Sequence, residues 1–215
     1  MNNKQFKELD KSILLDGAKK SGENARNLYS NGIHLAKVNQ YASANSLLIL
    51  SMEECVKSIV LFAGYVEIDL PFDVNPIFYK HKFKHIQGKE MMPIVSLLAT
   101  GLRTIEYLEA PKSNKMKSII ESIKPFISIL SPYFKKKFNN WWDSADQLKN
   151  EGLYVGYYNN SWNTPSKITI KEFQQTRNIV RPFVDILKLI DQIDSEDYKM
   201  LNPKIKNLNL KNRTH

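Results

Sequence analysis

From Tyr41 to Ala63 the chain reads YASANSLLILSMEECVKSIVLFA. This stretch limits the fold more than any other. Apolar residues fall on nearly every side of a helix drawn through it, so little of its surface is suited to water. Such a helix must be enclosed by protein or lipid. Glu53, Glu54 and Lys57 interrupt the run, which argues against a membrane span. A central helix of a bundle fits. The three charges must then reach a surface stripe or find partners, because an unpaired buried charge is costly.

The same periodicity runs upstream. Leu14, Ala18, Ser21, Ala25, Leu28, Gly32 and Leu35 recur at spacings of three and four along one stripe. Val38-Asn39-Gln40 reads as a break, so the two helices should form an antiparallel hairpin. Leu70-Pro71 and Asn75-Pro76 mark a loop, and Pro76 is placed to begin a helix. A further apolar helix is expected over 90–109, and a helical pattern over 116–150 with breaks at Pro125 and Pro132. Thr169 and Glu172 form a capping box ahead of Phe173, Ile179, Val180, Phe183, Val184, Leu187 and Ile190, in a helix that Pro182 should kink. No Asn-Gly hairpin signal lies between alternating segments. The expected fold is all-α. A single helical domain is expected over 1–200, with a short basic tail over 201–215.

Hydrophobic residues make up 42% of the 215, enough to bury a core. Lys and Arg number 31 against 22 for Asp and Glu, a formal charge of +9, which draws polyanions without selecting among them. The single cysteine, Cys55, permits no internal disulfide and reads as a small buried hydrophobe. The opening MNNKQFKELDKS has no apolar signal-peptide core. A cytoplasmic protein without a membrane anchor is the expectation.

Residues 78–89 read FYKHKFKHIQGK. On a helix His81 and His85 share one face, one turn apart, with Lys84 beside them. The pattern suits four roles: a solvated basic face, a metal pair, acid–base chemistry on a phosphate ester, or a grip on an RNA backbone. Neither an HExxH arrangement nor a Cys pair supports the metal, so none is expected. Lys80, Lys82 and Lys89 extend the positive patch. In SMEECVKS, Lys57 can pair with Glu53 or Glu54, and the HKFKH segment is the natural neighbour for any polar pocket there. In EGLYVGYYNN, Gly152 can cap the preceding helix, and Tyr154, Tyr157 and Tyr158 either pack on the bundle or stack on bases. No Ser-His-Asp order, GxGxxG, P-loop or CxxC pattern is present.

Taken in order, these segments resemble the AbiV family of bacterial abortive-infection proteins, within the HEPN-like clan. The resemblance rests on the Ala-rich helix ending in Glu53, Glu54 and Lys57. It rests also on a His-x-x-Lys element at His81 and Lys84, and on Gly152-Leu153-Tyr154-Val155 ahead of Pro165. It implies a HEPN-like helical bundle with an antiparallel hairpin core and extra C-terminal helices. It further implies a homodimer acting in anti-phage defence, an RNA substrate, a phage-encoded activator protein, and a metal-independent ribonuclease needing no cofactor. The usual Arg, four to six residues, then His is replaced here by Arg26 and His34 with seven residues between them. The chemistry then falls to HKFKH. One of His81 and His85 would take a ribose 2′-hydroxyl proton and the other protonate the leaving oxygen. Lys84 would stabilise the phosphorane, while Glu54 and Lys57 orient the set. The alternative is a non-enzymatic binder of RNA or of a phage protein, blocking translation or replication by occupancy.

Overall fold

A computed structural model describes residues 5–6, 8–68, 70, 74, 132–158 and 160–192. The basic cluster at 78–89, the apolar segment at 90–109 and the tail lie outside the described residues. The described chain runs α1 (Lys11–Lys37), α2 (Tyr41–Tyr65), α3 (Pro132–Leu153), strands β1 (Gly156–Tyr158) and β2 (Ser161–Asn163), a 3-10 turn at Pro165–Lys167, and α4 (Ile170–Gln192). It is an all-α bundle with one small hairpin.

Local rules set the helix ends. Asp10 caps α1, its carboxylate accepting from the Ser12 hydroxyl at 2.6 Å and from the Ser12 N–H at 2.7 Å. These bonds hold the Asp10 carboxyl below its ordinary pKa. At the other end Asn39 takes a left-handed φ of 62°. The Gln40 N–H then reaches the Leu35 carbonyl at 3.0 Å and the Asn39 N–H the Ala36 carbonyl at 3.1 Å, a Schellman closure. This is the break expected at 38–40. Helix α2 closes the same way at Glu67, φ 59°, whose carboxylate is bonded by the Lys11 ammonium.

Helices α1 and α2 run antiparallel in close contact because small residues line the seam. A Cβ on Gly32 would lie 3.0 Å from the Ala44 carbonyl oxygen. Deeper along the seam the Ser51 and Ser58 hydroxyls donate to the Ala25 and Ala18 carbonyls, each at 2.7 Å. Those bonds let serines lie in the core without an unmet polar group. The other flanks of α2 are covered by α3 and α4, so most of it is buried, from Ala44 through Ile49, Met52 and Val56 to Val60.

Helix α3 begins at Pro132, whose fixed φ suits a first helical position. It meets α4 through Phe138, which lies 5.4 Å between ring centroids from both Trp142 and Phe183. Helix α4 opens on the expected capping box: Thr169 N–H to Glu172 Oε2 at 2.7 Å, and Glu172 N–H to Thr169 Oγ1 at 3.4 Å. It continues through Pro182 to Gln192.

Two sequence readings are corrected. Gly152 does not cap α3; it lies inside the helix with an ordinary negative φ, and the chain continues helically to Leu153. The segment after it forms a hairpin that the missing Asn-Gly signal argued against. Tyr157 faces Trp162 across the strands, and Asn160 supplies the left-handed turn residue at φ 58°. Asparagine tolerates that conformation better than most side chains, so a turn built on it needs no glycine.

Candidate functional site

Glu53 and Glu54 are neighbours in sequence, so their side chains leave α2 about 100° apart. They go to different partners. Glu53 turns inward to α3, where its Oε1 lies 2.8 Å from Lys149 Nζ; the two side chains are 1% and 8% exposed. Lys149 is also 3.0 Å from the half-exposed Asp146. Burial pulls the Lys149 pKa down, but the bonds and charges of Glu53 and Asp146 outweigh it, leaving the ammonium above its ordinary value. The Lys149 ammonium is therefore kept charged and held.

The backbone of the same turn is bound as closely. Ser46 Oγ donates to the Lys149 carbonyl at 2.9 Å. A Cβ on Gly152 would lie 2.2 Å from Ser46 Oγ and 2.6 Å from the Ala42 carbonyl oxygen. Gly152 is thus a close-approach glycine, allowing the last turn of α3 to lie against the first turns of α2. The two motif segments SMEECVKS and LKNEGLYV, whose paired residues stand 96 apart, form one packed unit. Beside it Asn45 is fully buried, and neither of its amide atoms has a hydrogen-bond partner among the described residues.

Glu54 instead pairs along its own helix. Lys57 Nζ lies 2.8 and 2.9 Å from its two carboxylate oxygens, a bidentate contact. The side chains are 14% and 23% exposed, so the pair is accessible at the edge of the bundle. Lys57 thus chooses Glu54 of the two acids the sequence offered it.

The other expected site residues divide. Tyr154 is 64% exposed just past α3. Beyond it Tyr157 and Trp162 are exposed with ring centroids 5.1 Å apart. His81, Lys84, His85, Lys80, Lys82 and Lys89 lie outside the described residues, and so does any meeting of that cluster with Glu54 and Lys57. Cys55 is fully buried, and burial pushes its thiol pKa well up, which rules out a ready thiolate. His34 is exposed in the last turn of α1. No group of three His, Cys, Asp or Glu among the described residues is gathered to hold a metal.

Sequence reasoning missed Lys149. Its signal was present: Phe138, Trp142, Ala145, Lys149 and Gly152 recur at three- and four-residue spacing, placing one lysine on an otherwise apolar stripe. It also missed the ion pair between Arg26 and Asp191, 2.7 Å, which ties α1 to α4.

The described helices form a bundle in which a helical hairpin is wrapped by two further helices, with a charged turn on its central helix. The family model described as AbiV, of the HEPN type, matches residues 13–184, and the chain belongs to that family of abortive-infection, antiviral-defence proteins. Comparison with the curated proteins and with the solved structures gave no match. No helix among the described residues is long and apolar enough to cross a membrane.

Proposed function

We propose that this chain defends against phage as a phage-triggered ribonuclease, working as a homodimer in the cytoplasm without a metal or cofactor. Its single domain would span 1–200. The carrying observation is the division of labour on α2. Glu53 is held in a buried structural pair, whereas the adjacent Glu54–Lys57 pair is bidentate and partly exposed. A fixed ammonium–carboxylate pair within one helix is suited to orienting a second set of groups, since i,i+3 pairs by themselves add little to helix stability. In this reading His81 and His85 exchange the protons, Lys84 stabilises the phosphorane charge, and Lys80, Lys82, Lys89 and Tyr154 hold the strand.

The test compares wild type with a His81→Ala/His85→Ala variant on total bacterial RNA in EDTA, with and without lysate from phage-infected cells. Discrete fragments from wild type alone are expected. Intact RNA from both proteins, with wild type still protecting cells, would overturn the nuclease reading.

A second reading has its own support. No Arg is followed by His at the spacing usual for HEPN ribonucleases. A binder acting by occupancy would lose protection gradually as lysines are neutralised, show steep salt dependence, and be indifferent to either histidine alone.

A further inference from the structure

Helix α4 separates two clefts of different character. On one side Glu172 and Lys137 line a cleft of mixed charge against α3. On the other, a cleft of about 330 Å³ opens between α4, the last turn of α1 and the start of α2. Ile33, Tyr41 and Phe173 give it an apolar wall, and Lys37, Gln174 and Arg177 its polar groups. No carboxylate among the described residues lines it. Neither Lys37 nor Arg177 forms an ion pair among the described residues, and Arg177 Nε is buried without a hydrogen-bond partner. Glu172, the acid nearest along α4, is turned away and engaged by Thr169.

Two uncompensated cations beside an apolar wall suit an anionic group carried on a flat apolar body. The volume lies at the small end of ligand clefts, which run from about 300 to 1,000 Å³. It admits one nucleotide and not a duplex. Tyr41 stands about 20 Å along α2 from the Glu54–Lys57 turn at 1.5 Å per residue, so this is a separate place on the bundle.

We propose that the cleft takes one nucleotide of a single-stranded RNA, with Lys37 and Arg177 on its phosphate and the base against Tyr41. Arg supplies the planar fork that grips a phosphate at two points, Lys a point charge. The assignment rests on the RNA reading above and names where the strand is held away from the reacting groups.

The experiment measures binding of a fluorescent single-stranded hexaribonucleotide by anisotropy at several salt concentrations. Full-length wild type is compared with Lys37→Gln/Arg177→Gln. A Lys135→Gln/Lys136→Gln control loses the same charge at exposed sites on α3. Arg177→Lys keeps the charge without the fork, and thermal melts check that each variant is folded. The cleft variant should bind at least tenfold more weakly than the control with a shallower salt slope, and Arg177→Lys should fall between. Equal affinity of the cleft variant and the control would overturn the cleft assignment and leave the RNA reading intact. No binding by wild type with or without infected lysate would overturn both.

Discussion

The Glu53 carboxylate and the Lys149 ammonium meet 2.8 Å apart between α2 and α3, both shut from water. Removing one partner leaves the other charge buried without its ion-pair mate, whereas removing both does not. Lys149→Met alone should therefore cost about 3–5 kcal/mol in urea unfolding. Glu53→Met/Lys149→Met should recover most of that loss, so that the double variant costs far less than the sum of the two single ones. Additive single losses would show that the pair is not the interaction holding α3.

The same pair fixes an alkaline limit. The Lys149 pKa is raised on folding, with burial opposing the shift and Glu53 and Asp146 driving it. A raised folded pKa gives stability that is complete below the unfolded lysine value of 10.5 and is lost as pH rises through the folded value. Wild type should lose its advantage over the Lys149→Met variant only in that alkaline window. Convergence of the two stability curves near neutrality would contradict the assignment.

Gly152 is fixed by contact and not by backbone conformation. Gly152→Ala would drive a methyl group into Ser46 Oγ and the Ala42 carbonyl, separating α3 from α2. A destabilisation of about 1–3 kcal/mol is expected, as for other overpacked cores. Adding Ser46→Ala should relieve only part of it, because the Ala42 backbone cannot retreat. A neutral or stabilising Gly152→Ala, measured by denaturant midpoint, would show that α3 does not approach as closely.

Much of the bundle was legible because its signals are short-range. The all-round apolar run at 41–63, the Asn39 break and the Thr169–Glu172 box each act within a turn or two of chain. The Glu53–Lys149 pair was not legible in the same way. Periodicity shows that each charge lies on an apolar stripe, but not that the two stripes face each other across 96 residues of sequence. Gly152 was misread for a related reason. A glycine near a helix end serves equally as a left-handed cap or as a point of close approach, and only the neighbouring helix decides. The hairpin escaped because its strands are three residues long and its turn uses Asn160 in place of glycine. The cleft of Lys37 and Arg177 joins two helices distant in the chain, each of which alone shows only a basic side chain on an amphipathic helix.

The neighbouring acids of α2 should separate cleanly by phenotype. Glu54→Gln or Lys57→Met removes a partly exposed local pair and should cost about 1 kcal/mol or less in stability. Either should nonetheless abolish phage protection. A fully folded Glu54→Gln variant that protects like wild type would remove this pair from the mechanism.

The most direct measurement follows total RNA by electrophoresis through a phage infection, in cells carrying wild type or Glu54→Gln at equal protein levels. The account predicts discrete RNA fragments appearing after infection with wild type, and intact RNA with loss of protection in the variant. Protection by wild type with RNA intact throughout would contradict it and identify a protein that acts by binding alone.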